Sequence, residues 1–205
     1  MLLALLLSLA QPALPTRLPP VDRCRGDAAF AAFRTDLNRA VRTRDLAALK
    51  ALMDEGVVLS FGGVRGPAAL DGIEGRGKEA FWAALDEVLQ LGCAGRLDGQ
   101  GAEYRAFPAM FVTSAGLNGF DTQVSQPGAV LREKPFATAR VRARLRAWTV
   151  LDEVADEGGD WLQVRTRQGL TGYVERGLLR SPIDYRLVAG RRGGQWRVTA
   201  FVAGD

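Results

Sequence analysis

The sequence predicts an α+β protein in which an N-terminal helical region precedes a small β-barrel, and a C-terminal β-hairpin packs back on the N-terminal region. Three observations carry this prediction. Apolar residues recur at threes and fours between Asp27 and Gln90, as on one face of a helix. Short period-two segments separated by tight turns run from Ala129 to Val174, and a glycine-rich turn near the end joins two more. With 205 residues, 47% hydrophobic and 24% charged, the chain suits one or two compact units.

From Asp27, which can cap the start, Phe30, Phe33, Leu37, Ala40 and Val41 mark one amphipathic helix. Asp45 can cap a second, with Leu46, Leu49, Leu52 and Met53 as its apolar residues and Gly56 as its end. A strand follows over 57–61, then a glycine-rich loop over 62–77. Residues 78–90 predict a third helix that buries Phe81, Trp82, Leu85, Val88 and Leu89, with Cys93 just beyond its end. From 94 to 127, Tyr104, Phe107, Met110, Phe111 and Val112 are interrupted by Pro108 and several glycines, which predicts one or two short strands. Ser125, Gln126, Pro127 and Gly128 form the junction to the next unit.

That unit opens with a strand over 129–133 and a loop over 134–138. Val141, Ala143 and Leu145 then alternate with Arg140, Arg142, Arg144 and Arg146, a period of two that predicts a strand with one apolar and one cationic face. Further strands are expected over 149–154, 161–165 and 170–174, separated by the turns 156–160 and 167–169. The closing hairpin has strands over 185–188 and 195–202, with Trp196, Val198, Ala200 and Val202 on one face. Because a lone hairpin is marginally stable, it is expected to pack on the N-terminal helices and the 57–61 strand. The resulting division is 1–10, a signal peptide; 11–26, a flexible segment; 27–127, an α+β domain; 128–182, the barrel; and 183–205, the hairpin.

The stretches AVLREKPFATARVRARLRAWTVLDEV and GDWLQVRTRQGLTGYVERGLLRSP resemble the bacterial SH3-like domain. Val130, Leu131, Arg132 and Pro135 stand at its Asn-Val-Arg-x-x-Pro opening, without the Asn. Trp161 and Val164 match its Trp-x-x-Val strand, and Gly169, Gly172, Tyr173 and Val174 match its Gly-x-x-Gly-aromatic-Val ending. The resemblance implies an SH3-like β-barrel that binds cell-wall or protein ligands rather than making bonds. With the ending SPIDYRLVAGRRGGQWRVTAFVAGD, the whole resembles exported bacterial proteins of uncharacterised function that join an N-terminal helical region to such a module. The order helix, helix, strand, helix and closing hairpin with Gly-x-Trp also resembles the cone-shaped folds of the nuclear transport factor 2 type.

The first ten residues are uncharged and Leu-rich and end in Ser8, Leu9 and Ala10, with small residues at the minus-three and minus-one positions of a signal-peptidase site. A run this short does not reach the roughly 20 apolar residues that span a bilayer, so no transmembrane anchor is expected and the location is exported, periplasmic or extracellular. In an oxidising space the two cysteines, Cys24 and Cys93, are expected to form a disulfide, two buried thiols being the alternative.

Residues 1–127 carry 13 Lys and Arg against 14 Asp and Glu, whereas 128–205 carry 14 against 9. The positive charge therefore belongs to the β half. Only Lys50, Lys78 and Lys134 are lysines, so arginine is general currency here and nucleic acid is not an expected partner. The absence of histidine removes Ser-His-Asp and Cys-His catalysis and His-ligated zinc, and no phosphate-binding Gly-Lys-Ser/Thr motif is present. Carboxylate chemistry survives, with Glu74, Glu79, Asp86 and Glu87 as candidates, although a solvated helix face also accounts for them. The loop from Asp71 to Gly77 lacks the ligand pattern of a calcium hand. No catalytic residue, metal or cofactor is expected.

Binding remains. Arg140, Arg142, Arg144 and Arg146 would array guanidiniums about 7 Å apart along one strand face, suited to carboxylates or phosphates. The plainer reading is a solvated face balanced by Asp152, Glu153, Asp156, Glu157 and Asp160. Trp161 and Tyr173 fall on the outward phase of their strands, where they either line a peptide groove or pack beneath a loop or against the first domain; Trp148 and Trp196 read as core. Three functions stay open. The first is a module docking on cell-wall peptide, peptidoglycan or another anionic envelope ligand. The second is a structural or protein-interaction factor with an envelope protein as partner, and the third a carboxylate-based glycan hydrolase. The oligomeric state is not legible.

Overall fold

Asp27 opens the first long helix of the computed structural model, which describes residues 14–204. The signal-peptide expectation for residues 1–10 lies outside the described residues. Ahead of Asp27 lies a short strand, β1 (Val21–Asp22), and after it α1 (Ala28–Arg42), whose first turn is capped by the Asp27 carboxylate accepting from the Phe30 amide. Its buried residues are the five that the apolar spacing marks. Asp45 caps α2 (Leu46–Ala51) in the same way, through the Ala48 amide.

Here the structure departs from the expected boundaries. The second helix stops at Leu52, and β2 (Met53–Val58) begins four residues earlier than the pattern predicts and ends before Phe61. The reason is tertiary: β2 pairs in parallel with the last strand, and the Val198 amide donates to the Leu52 carbonyl, which takes that residue out of the helix. Within the expected 62–77 loop lies a 3-10 turn over Pro67–Gly72, and α3 (Gly75–Gln90) starts three residues early.

The region 94–127 is more ordered than its interrupted pattern indicates. It holds most of β3 (Gly92–Leu97), then β4 (Glu103–Phe107), the one-turn α4 (Met110–Thr113) and β5 (Thr122–Ser125). The remaining strands are β6 (Val130–Arg132), β7 (Val141–Arg144), β8 (Val150–Ala155), β9 (Trp161–Thr166), β10 (Thr171–Glu175), β11 (Leu179–Arg180), β12 (Arg186–Arg192) and β13 (Gln195–Val202).

Two sheets result. The first runs β1-β3-β4-β12-β13-β2, so the terminal hairpin occupies its interior, antiparallel to β4 and parallel to β2. Helices α1 and α3 cover it, and Phe30, Trp82, Leu37, Phe107 and Leu187 fill the space between with less than 2% exposure. The second sheet runs β11-β5-β8-β9-β10-β6-β7. The expected barrel is thus not closed: β11 and β7 are both edges. Its inner face still curls around one aliphatic cluster, drawn from Leu131, Leu151, Leu162, Val164, Val174 and Leu179.

The segment 11–26 was expected to be flexible, yet from Thr16 onward it is tied to both sheets. Arg17 bridges to Thr149, and its guanidinium donates to the Ala147 carbonyl at 2.8 Å. Leu18 is buried with Met110, Val124 and Val150, β1 pairs with β3, and Cys24 is disulfide-bonded to Cys93. Gly92 is needed at this crossing: with φ at +79°, a Cβ there would stand 2.2 Å from the Val21 carbonyl oxygen. The sheets also meet where buried Arg180 of β11 pairs with Glu87 of α3 and donates to the Tyr185 carbonyl at 2.6 Å. Among the described residues, no helix is long and apolar enough to cross a membrane.

Candidate functional site

The second sheet turns its outer face to solvent, and strand phase decides what stands there. On β9, Leu162 and Val164 go into the aliphatic cluster, which leaves Trp161 and Gln163 outside. On β10, Gly172 and Val174 face in and Tyr173 faces out. Tyr173 lies opposite Gln163 on one side and Arg132 of β6 on the other, so one outward row crosses three strands. Gly172 permits this crossing, since a Cβ there would stand 2.5 Å from the Arg132 carbonyl oxygen.

Trp161, Gln163 and Tyr173 line a pocket of about 240 Å³. Its walls are Pro135, from the loop before β7, and Ala155, Glu157, Gly158 and Asp160, from the end of β8 and the turn into β9. Trp161 and Tyr173 are half-buried, and no residue of the first sheet is among the pocket's lining. Trp148, expected in the core, is also half-buried, at φ +66° beside the Leu18 cluster. Trp196 is buried, and its indole donates to Asp27 at 3.2 Å.

The arginines lie on and around the β7 edge. Arg142 and Arg144 belong to the strand, whereas Arg140 precedes it and Arg146 follows it; all four are exposed. Ala143 and Leu145 pack against the aliphatic cluster, but Val141 is exposed, because the β6–β7 pairing shifts register between Leu131 and Arg132. The Arg142 guanidinium donates to the Thr171 carbonyl at 2.8 Å, which sets it two residues along β10 from Tyr173. Among the described residues, none of the four guanidiniums is in an ion pair.

The acids expected to balance them are placed elsewhere. Asp152 pairs with Arg167, Asp156 with Arg176 at 2.7 Å, and Glu153 accepts from Gln123. The Arg176 guanidinium and then the Gly158 amide hold the Asp156 carboxyl below the usual carboxylate range. Glu157 and Asp160 line the aromatic pocket. Of the carboxylate candidates, Glu74 and Glu79 are exposed, Asp86 is half-buried, and Glu87 is committed to Arg180. A larger apolar pocket of about 420 Å³ beneath α3, lined by Leu70, Ile73, Phe81, Tyr185 and Phe201 among others, has no acidic residue in its lining. No group of three or more Cys, Asp or Glu among the described residues is arranged to hold a metal ion.

Sequence reasoning singled out Trp161 and Tyr173 for this face but missed Pro135, Gln163, Glu157 and Asp160 as their neighbours. Gln163 was within reach, being two residues from Trp161 on the same strand face; the others come from a loop and a turn that only the fold brings in.

No curated protein matches the chain in sequence. Solved structures similar to it include a candidate ketosteroid isomerase from Shewanella frigidimarina, at 8% identity, with a TM-score of 0.32 over 86% of this chain and 94% of that one. Another is an NTF2-like protein of unknown function from Pseudomonas putida, at 13% identity, with a TM-score of 0.24 over 84% and 81%. The stretch that carries both the aromatic pocket and the arginine edge, residues 125–181, matches the family model of the bacterial SH3 domain.

Proposed function

We propose that the chain is an exported, non-catalytic binding protein whose SH3-like segment docks on cell-wall peptide or another anionic envelope ligand. The observation that carries this is a division of labour within the second sheet. Contacts with the rest of the chain are made through β5, β8 and β11, by way of Val124, Val150 and Arg180. The outward surface of β6, β7, β9 and β10 keeps its aromatic pocket and its arginines for something else. Guanidiniums without an internal ion pair retain their capacity for bidentate pairing with carboxylates or phosphates. Beside an aromatic depression they form a surface suited to an extended, charged peptide. Export rests on the Leu-rich start of the sequence and on the Cys24–Cys93 bridge, a bond that persists in oxidising spaces.

Co-sedimentation with purified peptidoglycan at low and moderate salt tests this, beside a variant carrying Ala at Arg140, Arg142, Arg144 and Arg146. The full chain is expected to pellet, less so at the higher salt, and the variant to stay in solution. Failure of the full chain to pellet at either salt would turn the search to a protein partner.

A further inference from the structure

The aromatic pocket and the arginine edge differ in sign. The pocket lining holds two carboxylates, Glu157 and Asp160, and no Lys or Arg. Asp156, beside them in the same turn, is neutralised by Arg176, whose Nε also donates to the Gly159 carbonyl at 2.9 Å and fixes the turn. The side chains of Glu157 and Asp160 have no ion pair or hydrogen bond among the described residues. Two open carboxylates beside the half-buried faces of Trp161 and Tyr173, around a depression of about 240 Å³, fit a compact cation on an alkyl stem. The stem would lie along the rings and the head would reach the carboxylates, with the ring faces adding attraction for the positive charge.

We infer that the Trp161–Tyr173 pocket takes the free primary ammonium of a peptide side chain, while the arginine edge takes a carboxylate of the same peptide. The inference rests on the peptide-binding reading above and specifies the chemistry of its ligand. Two strand spacings, about 10 Å, separate β10 from β7, so the ammonium and the carboxylate belong about three residues apart in an extended peptide. Blocking the amine would remove two weak ion pairs and a ring contact at once, which corresponds to about tenfold in affinity.

The test uses the end-blocked peptide acetyl-Ala-Glu-Ala-Ala-Lys-Ala-amide and its Nζ-acetyl form, titrated into the chain while the indole N–H resonance of Trp161 is followed. The free-amine peptide is expected to move that resonance and to bind about tenfold more tightly than the acetylated one. A Glu157→Gln/Asp160→Asn variant, altered at exposed positions only, is expected to lose this preference. Equal shifts with both peptides, or none with either at millimolar concentration, would overturn the inference. Equal sedimentation with native peptidoglycan and with peptidoglycan whose amines have been acetylated would also overturn it and leave the docking reading standing. A preserved amine-dependent shift without any sedimentation would remove peptidoglycan as the target and keep the ammonium site.

Discussion

The two sheets differ in whether aromatic rings enter their cores. In the first, Phe30, Phe107, Trp82 and Trp196 are interior, with Phe30 against Trp196 at 5.0 Å between ring centroids, edge to face. In the second, the fully buried cluster is entirely aliphatic, and Trp161 and Tyr173 stand half-buried outside it. An aromatic ring buried in the core contributes several kcal/mol of stability through area and packing. Left at the surface of a small sheet, it is available to a ligand instead. The first sheet therefore carries the aromatic packing of the core, whereas the second leaves its rings at the surface.

The sharpest way to break that contrast is to remove a ring from each side. Trp82→Ala empties the largest fully buried side chain, which α3 packs over the first sheet, and is expected to cost about 3–5 kcal/mol in urea denaturation. Trp161→Ala should cost far less. Comparable losses would show that the outer ring is structural and would end the division between the sheets.

Reduction of the disulfide comes next. Cys24 and Cys93 are separated by 69 positions, and opening that loop is expected to cost about 2–4 kcal/mol, read as the shift in urea midpoint with and without reductant. Because Thr16–Cys24 ties the sheets together, hydrogen exchange should accelerate in β1 and β3 and at Thr149, yet remain slow in β9 and β10. Uniform acceleration would mean that the second sheet has no stability of its own. Within that sheet, Gly172→Ala places a Cβ 2.5 Å from the Arg132 carbonyl oxygen and should cost about 1–3 kcal/mol, with Tyr173 displaced.

How much of this was legible depended on whether burial followed local pattern. Helix α1 was readable to the residue because its core face is made of its own apolar spacing, and both helix caps are aspartates. The end of α2 was not, since Leu52 and Met53 continue a helical pattern and only the partner strand β13 takes Leu52 out of the helix and Met53 into β2. The strands β3, β4, β5 and β11 are short, β3, β4 and β11 carry Gly or Arg, and β5 and β11 pair with each other from far apart in sequence. For the site, strand phase placed Trp161 and Tyr173 outside. The same reasoning took Glu157 and Asp160 as counter-charges to the arginines, because charge counting carries no geometry; their place in the pocket depends on how the β8–β9 turn folds over β9.

Acid weakens the first region in a readable way. The Phe30 amide, then the Trp196 indole and Arg191, hold the Asp27 carboxyl below its ordinary range despite the opposing effect of burial. Asp22 is lowered too: burial pushes it up, but its hydrogen bonds from Arg34 and the Cys24 amide and the charge of Arg34 and Arg25 outweigh that. A folded-state pKa below the unfolded one contributes stability that is present above the unfolded value and lost as pH falls through the folded one. The loss therefore begins below about pH 4. Asp27→Asn should lower stability at pH 6 and flatten its decline towards pH 2, as read by urea midpoints. An unchanged slope would show that Asp27 titrates as in the unfolded chain.

The smallest effect separates the arginines from one another. Arg140, Arg144 and Arg146 make no ion pair among the described residues, so their replacement by Ala should leave stability within about 0.5 kcal/mol. Arg142 donates to the Thr171 carbonyl, and its replacement should cost about 1 kcal/mol, the ordinary worth of one such bond. If the surface serves a ligand, the two sets reverse in importance: three substitutions that leave the urea midpoint alone should remove most of the salt-dependent binding, and the one that shifts it should remove less. Proportional losses of stability and binding across all four would mean that the arginine edge acts through the fold rather than at the ligand.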